Sequence, residues 1–169
     1  MKSLSVPNFA FHLAILINDS ESISLMESKI KQLFKRKNLL QTYDETLIYF
    51  SIINLRYFAA IISIYTFYKN QKDIDRLTEE LVREWKVILD NMGNSRSYIE
   101  TIGIEQITHY QDLLYEKHPY DVFVGLICEA FCGNIKIGFD ENAKLLAHSE
   151  FFLSMHNYTE FFNTVNLIL

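Results

Sequence analysis

Residues 46–68, TLIYFSIINLRYFAAIISIYTFY, are an almost unbroken apolar stretch, and how they are read decides the fold. Twenty-three residues at helical rise are long enough to cross the hydrocarbon core of a bilayer. Eleven of them are Ile, Leu or Phe, each favouring insertion by about 0.3 to 0.6 kcal/mol, whereas an Arg near the middle costs about 3 kcal/mol. That Arg is Arg56, and Asn54 with the Ser, Thr and Tyr residues removes most of what remains. A single span would also leave Arg56 without an intramembrane partner. The stretch is therefore expected to be a central helix of a soluble fold, apolar on most sides because other helices surround it. No membrane partner is expected.

The flanking sequence supports this reading. Thr42 or Asp44 can cap the long helix, and Lys69-Asn70-Gln71-Lys72 ends it. On the N-terminal side, Met1-Lys2-Ser3 and the apolar run 9–17 resemble a signal peptide only faintly. Asn18-Asp19-Ser20-Glu21 stands where a small-residue cleavage site would be needed, so the run is read as a first structural helix. Asp19 or Ser20 can then cap a helix carrying Ile23, Met26, Ile30, Leu33 and Phe34 at helical intervals, closing near Lys35-Arg36-Lys37. Extended upstream by Lys29 and Lys31, this basic run reads as a solvated last turn whose cations complement the helix dipole.

Beyond residue 68, Asp73 is expected to cap a helix over 73–92, with Ile74, Leu77, Leu81, Trp85, Ile88, Leu89 and Met92 along one stripe and Gly93-Asn94 as a left-handed end. A capping box at Ser97–Glu100 precedes a helix over about 104–116, which His118-Pro119 ends. Asp121 caps a second nearly all-apolar helix, 122–132, closed by Gly133-Asn134. Residues 135–139 read as an extended connector and Asp140 caps a helix to about Met155. Asn157–Glu160 resembles another capping box and opens a last helix over 158–169. The expected fold is all-α: one domain over 1–169, seven or eight helices packed around one or two nearly fully apolar central ones, 46–68 and 122–132.

Composition limits the functional classes. Five Gly and two Pro exclude collagen-like and flexible low-complexity chains. A formal charge of −5 argues against nucleic acid as a partner, because phosphate contacts need a clustered positive excess. Cys128 and Cys132 are four apart on a helix, too distant for a relaxed disulfide, which points to reduced thiols and a cytoplasmic setting. The glycine-rich phosphate loops, nucleophile elbows, zinc-protease helices and paired CxxC ribbons are all missing from the sequence. Three residues before His12, His109, His118, His148 and His156 stand Phe9, Gln106, Tyr115, Leu145 and Leu153, so the paired Glu-x-x-His of diiron bundles is missing too.

Two sets of residues remain. Cys128 and Cys132, with His148 on the next helix, have ligand types suited to tetrahedral zinc, although two cysteines in so apolar a helix are ordinary core residues. His12, inside the apolar first helix, is the best single candidate for a cofactor-pocket ligand, yet a lone His on an apolar face is more often structural. No cofactor is expected. The second set is aromatic: Tyr49, Tyr57 and Tyr65 lie near helical repeats on the central helix, and Phe161, Phe162, Leu167 and Leu169 make an apolar C-terminal tail that needs something to dock on. These residues are the candidate interaction surface. The expected function is a non-enzymatic protein-interaction module, a regulator, adaptor or inhibitor acting through an aromatic and acidic surface on a protein partner, with homodimerisation. The alternative is a helical ligand- or metal-binding protein, with enzymes included, that uses a pocket between the central helices.

Overall fold

Asp44 begins the decisive helix: its Oδ1 accepts the Leu47 N–H at 3.0 Å, satisfying a donor that has no carbonyl partner at the helix start. From there α3 runs over Glu45–Phe67. The computed structural model describes residues 2–91, 103–116, 118–138 and 140–168. Among these, α3 is the helix long and apolar enough to cross a membrane, and 94% of its most apolar window is buried inside the protein. Every residue from Phe50 to Ile64 is buried, including Ser51, Asn54, Arg56 and Ser63. Ser51 and Ser63 satisfy their hydroxyls on the carbonyls of Leu47 and Ala59, each 2.8 Å away one turn back.

α3 contacts each of the other described helices. β1 (Lys2–Ser5) leads into α1 (Val6–Ile17), where Pro7 sits in the first turn, a position that needs no N–H donor. α2 (Ser20–Arg36) starts on Asp19, whose carboxylate accepts the Ser22 N–H at 3.0 Å. A 3-10 turn at Leu40–Thr42 leads to α3, and α4 (Gln71–Asn91) follows it. We number the later elements α5 (Ile104–Tyr115), α6 (Tyr120–Asn134), α7 (Glu141–Thr164) and β2 (Val165–Ile168). α7 lies along α3, α4 against α1, and α6 between α5 and α7. Within the core, Gln106 of α5 accepts from the Asn54 amide at 2.7 Å and donates to Ser51 Oγ at 3.0 Å, a polar bridge inside apolar packing.

The protein is mostly helical, as the sequence led one to expect, with one short sheet in addition. β1 and β2 form a two-stranded parallel sheet with Lys2 opposite Val165 and Leu4 opposite Leu167. The two expected C-terminal helices are one: α7 continues through Asn157 to Thr164, so the Asn157–Glu160 signature caps nothing. Phe151, Ser154, Tyr158 and Phe162 are buried at intervals of three and four across the expected break, and this continuous packing outweighs a local capping preference. Residues 165–168 then leave the helix as a strand.

Helix ends differ in smaller ways. α4 begins before Asp73, with the Asn70 side chain accepting the Lys72 N–H at 3.1 Å. α6 starts after Pro119 rather than at Asp121, and it passes through Gly133 and Asn134. Its left-handed residue is Lys136 (φ 57°), with Lys136 N–H bonded to the Gly133 carbonyl and Ile137 N–H to that of Cys132, the paired bonds of a Schellman ending. Asn38 (φ 59°) ends α2 in the same way. α6, expected at the centre beside α3, buries Phe123, Ile127, Cys128, Phe131 and Cys132 but leaves Val122 and Glu129 exposed. Met92, the Gly93-Asn94 ending and the Ser97–Glu100 box lie outside the described residues.

Candidate functional site

The residues singled out in the sequence fall in several separate places. Cys128 and Cys132 both point into the core from α6, each 2% exposed. Burial, with each thiol beside other negative groups, pushes Cys128 up to about 12 and Cys132 up to about 11. A metal ligand must be the thiolate, and burial here favours the protonated thiol. His148 stands exposed on α7 with its ring 4.6 Å from that of Phe152. Among the described residues no group of three or more His, Cys, Asp or Glu is arranged to hold a metal ion, so Cys128, Cys132 and His148 are not brought together as a ligand set. His12 is half-buried between the rings of Phe11 and Phe161, 5.9 and 6.5 Å away.

The tyrosines do not form one stripe. Eight residues advance an α-helix by two turns and about 80°, so successive members of the series rotate away from one another. Tyr49 is half-buried, Tyr57 is buried against Trp85 with ring centroids 5.3 Å apart, and Tyr65 is exposed. Tyr65 lines a hollow of about 260 Å³ with Leu114, His118, Tyr120 and Phe123. Of the C-terminal residues, Phe161 is half-buried and Phe162 is buried against Phe9, Phe67 and Tyr68. Leu167 is half-buried in β2 opposite Leu4. Tyr57 and Phe162 therefore belong to the core rather than to a surface, and Leu169 lies outside the described residues.

A different place collects the exposed and charged groups. α2 and α7 both pack on α3 and meet along one side of the molecule, leaving a groove between them. Towards the α2 C-terminus the groove holds a hollow of about 290 Å³, with Lys29, Gln32, Leu33 and Arg36 on one wall and Asn142, Leu145, Leu146 and Ser149 on the other. Towards the α2 N-terminus is a smaller hollow of about 150 Å³, lined by Leu16, Asp19, Ser22, Leu153, Ser154, Asn157 and Tyr158. Arg56 and Glu150 also line this second hollow.

Arg56 explains why so apolar a helix carries a cation. Its Nε donates to Glu150 Oε1 at 2.5 Å, and its Nη1 donates to the Ile17 and Asp19 carbonyls at 3.3 and 3.4 Å. The guanidinium thus sits at the negative end of α1 and joins α1, α3 and α7. Nearby, hydrogen bonds from Ser22 hold the Asp19 carboxyl below its usual value, with the Arg56 charge adding to the effect, and burial pushes the Tyr158 hydroxyl up. Arg56 is paired with Glu150, whereas Lys29 and Arg36 at the larger hollow have no ion-pair partner among the described residues. The larger hollow thus sets three leucines, Leu33, Leu145 and Leu146, among polar side chains, with Lys29 and Arg36 on its α2 wall.

The chain matches no family model, no curated protein and no solved structure. Sequence reading assigned Lys29 and Arg36 to a solvated turn, weighed Arg56 only as a cost, and passed over Glu150 and Leu145. One signal was available: Leu145 and Leu153, two turns apart, fall on the side of α7 away from its buried residues.

Proposed function

We propose that this chain is a non-enzymatic protein-interaction module, a regulator, adaptor or inhibitor, that receives a protein partner over the face where α1, α2 and α7 meet. The observation supporting this reading is that these three helices leave large apolar side chains in water: Phe11 (50% exposed), Ile15 (51%), Leu25 (58%), Leu145 (62%) and Leu153 (56%). Single exposed apolar residues are ordinary on any protein, but Leu145 lines the larger hollow of the groove and Leu16 and Leu153 the smaller one, a surface that gains by being covered. α1 carries the point furthest. A helix apolar on every side is normally enclosed, yet here Phe11, Ile15 and Leu16 form its solvent face. Leu16 shares a hollow with Leu153, which joins the α1 face to α7.

Photo-crosslinking in cells of the protein's source tests the proposal. A photoreactive residue in place of Ile15 or Leu153 is expected to give a discrete heavier species, while one in place of Glu79 on the polar face of α4 gives none. A second copy of the chain would appear as an adduct of twice the chain mass. Absence of a discrete species from both Ile15 and Leu153, or an identical pattern from Glu79, overturns the reading.

A further inference from the structure

We infer that the larger hollow between α2 and α7 accepts an acidic amphipathic helix of a partner protein. This rests on the interaction reading above and specifies the chemistry of the partner. The walls of the groove are α-helices whose backbone groups bond within themselves, so they offer no free ladder to an extended strand, and recognition must come through side chains. A third helix laid between α2 and α7 makes ordinary ridge-and-groove packing.

The charges set its sign. On and beside this face Lys31 is paired with Glu45, Lys37 with Asp140 and Lys144 with Glu129, at 3.0, 2.9 and 2.9 Å. Lys29 and Arg36, which border the hollow, have no such partner among the described residues, although the chain carries a net charge of −5. Seven residues separate them, about 10.5 Å or two turns along α2. A partner helix with carboxylates at i and i+7 matches that spacing, and an apolar residue at i+3 or i+4 then falls between them, over Leu33, Leu145 and Leu146. Two cations on one helix, with three leucines among the residues lining the hollow, fit such a helix better than a polyanion, which needs an extended positive track.

The test uses the full chain and two labelled helical peptides of identical leucine pattern, one with Glu and one with Lys at i and i+7, read by fluorescence anisotropy at low and physiological salt. The acidic peptide is expected to bind more tightly than the basic one. Lys29→Glu with Arg36→Glu, both exposed positions, should weaken the acidic peptide about tenfold and reverse the preference. Leu145→Asp should weaken both peptides, and unchanged circular dichroism confirms that each variant is folded. Equal binding of the two peptides, no binding of either, or a preference that the charge reversal leaves intact overturns the inference. So does self-association of the wild type that the charge reversal abolishes, since the occupant is then a second copy. If crosslinks form at Ile15 and Leu153 while the peptides show no preference, the interaction reading stands and this inference alone fails.

Discussion

Arg56 is 4% exposed, and its partner Glu150 contributes a side chain only 11% exposed. Removing two charges from water costs several kcal/mol, recovered only because the guanidinium also meets two carbonyls at the end of α1. The pair is thus more a device of orientation than of net stability. Glu150→Ala should destabilise the protein by about 3 kcal/mol by stranding a buried cation, while Arg56→Met combined with Glu150→Leu should recover most of that loss. Urea denaturation of the wild type, Arg56→Met, Glu150→Leu and the double variant measures the coupling. Additive losses would mean that the two charges do not depend on one another. The same reasoning explains a feature of the sequence: an Arg inside an apolar helix calls for a carboxylate elsewhere, but nothing along the chain names Glu150, 94 residues away.

At the scale of the element, helix termini decide most of the differences between expectation and structure. Asp44, Asp19 and Asp140 were legible as caps because an N-cap requires only a short side chain and its own next residues. Asp140 does more, since it also pairs with Lys37 across the chain at 2.9 Å. The Lys37 hydrogen bond, with the Ala143 and Asn142 N–H groups, holds its carboxyl below the usual 3.8. Because the folded value lies below the unfolded one, this contribution is fully present above about pH 4 and is lost as pH falls through the folded value. Asp140→Asn keeps a capping oxygen and loses the charge. It should cost about 1 kcal/mol at pH 6, a difference that shrinks towards zero as the pH is lowered below 4, measured by urea midpoints along a pH series. A constant difference would show that the charge is not what Lys37 recognises. Helix ends without such a cap were harder to see. Lys136 takes a left-handed conformation usually left to Gly, held by Ile137, which is buried just beyond it.

For the molecule as a whole, the parallel pairing of β1 with β2 joins the two described ends of the chain. Two short strands have little stability alone. Here each runs directly into a helix, α1 or α7, already fixed against the core, and Leu4 is buried beneath them. Deleting residues 165–169 should therefore cost about 2 kcal/mol, close to the loss from Leu4→Ala, and the two changes together should cost little more than either one. Urea unfolding of the three variants checks this, and full additivity would separate Leu4 from the clasp.

Helical periodicity, carboxylate caps and the apolar run at 46–68 were sufficient to specify a mostly helical protein with a buried α3, because each depends on spacing within one segment. The sheet, the unbroken α7 and the placement of Tyr57 and Phe162 in the core were not, because each depends on which distant surfaces meet. A four-residue strand such as Val165–Ile168 has too short a pattern to be distinguished from a helix end until its partner is known. The groove follows the same rule: Lys29 and Arg36 are as solvated as the sequence suggests, but only packing lays α7 beside them and pairs Lys37 and Lys144 with carboxylates.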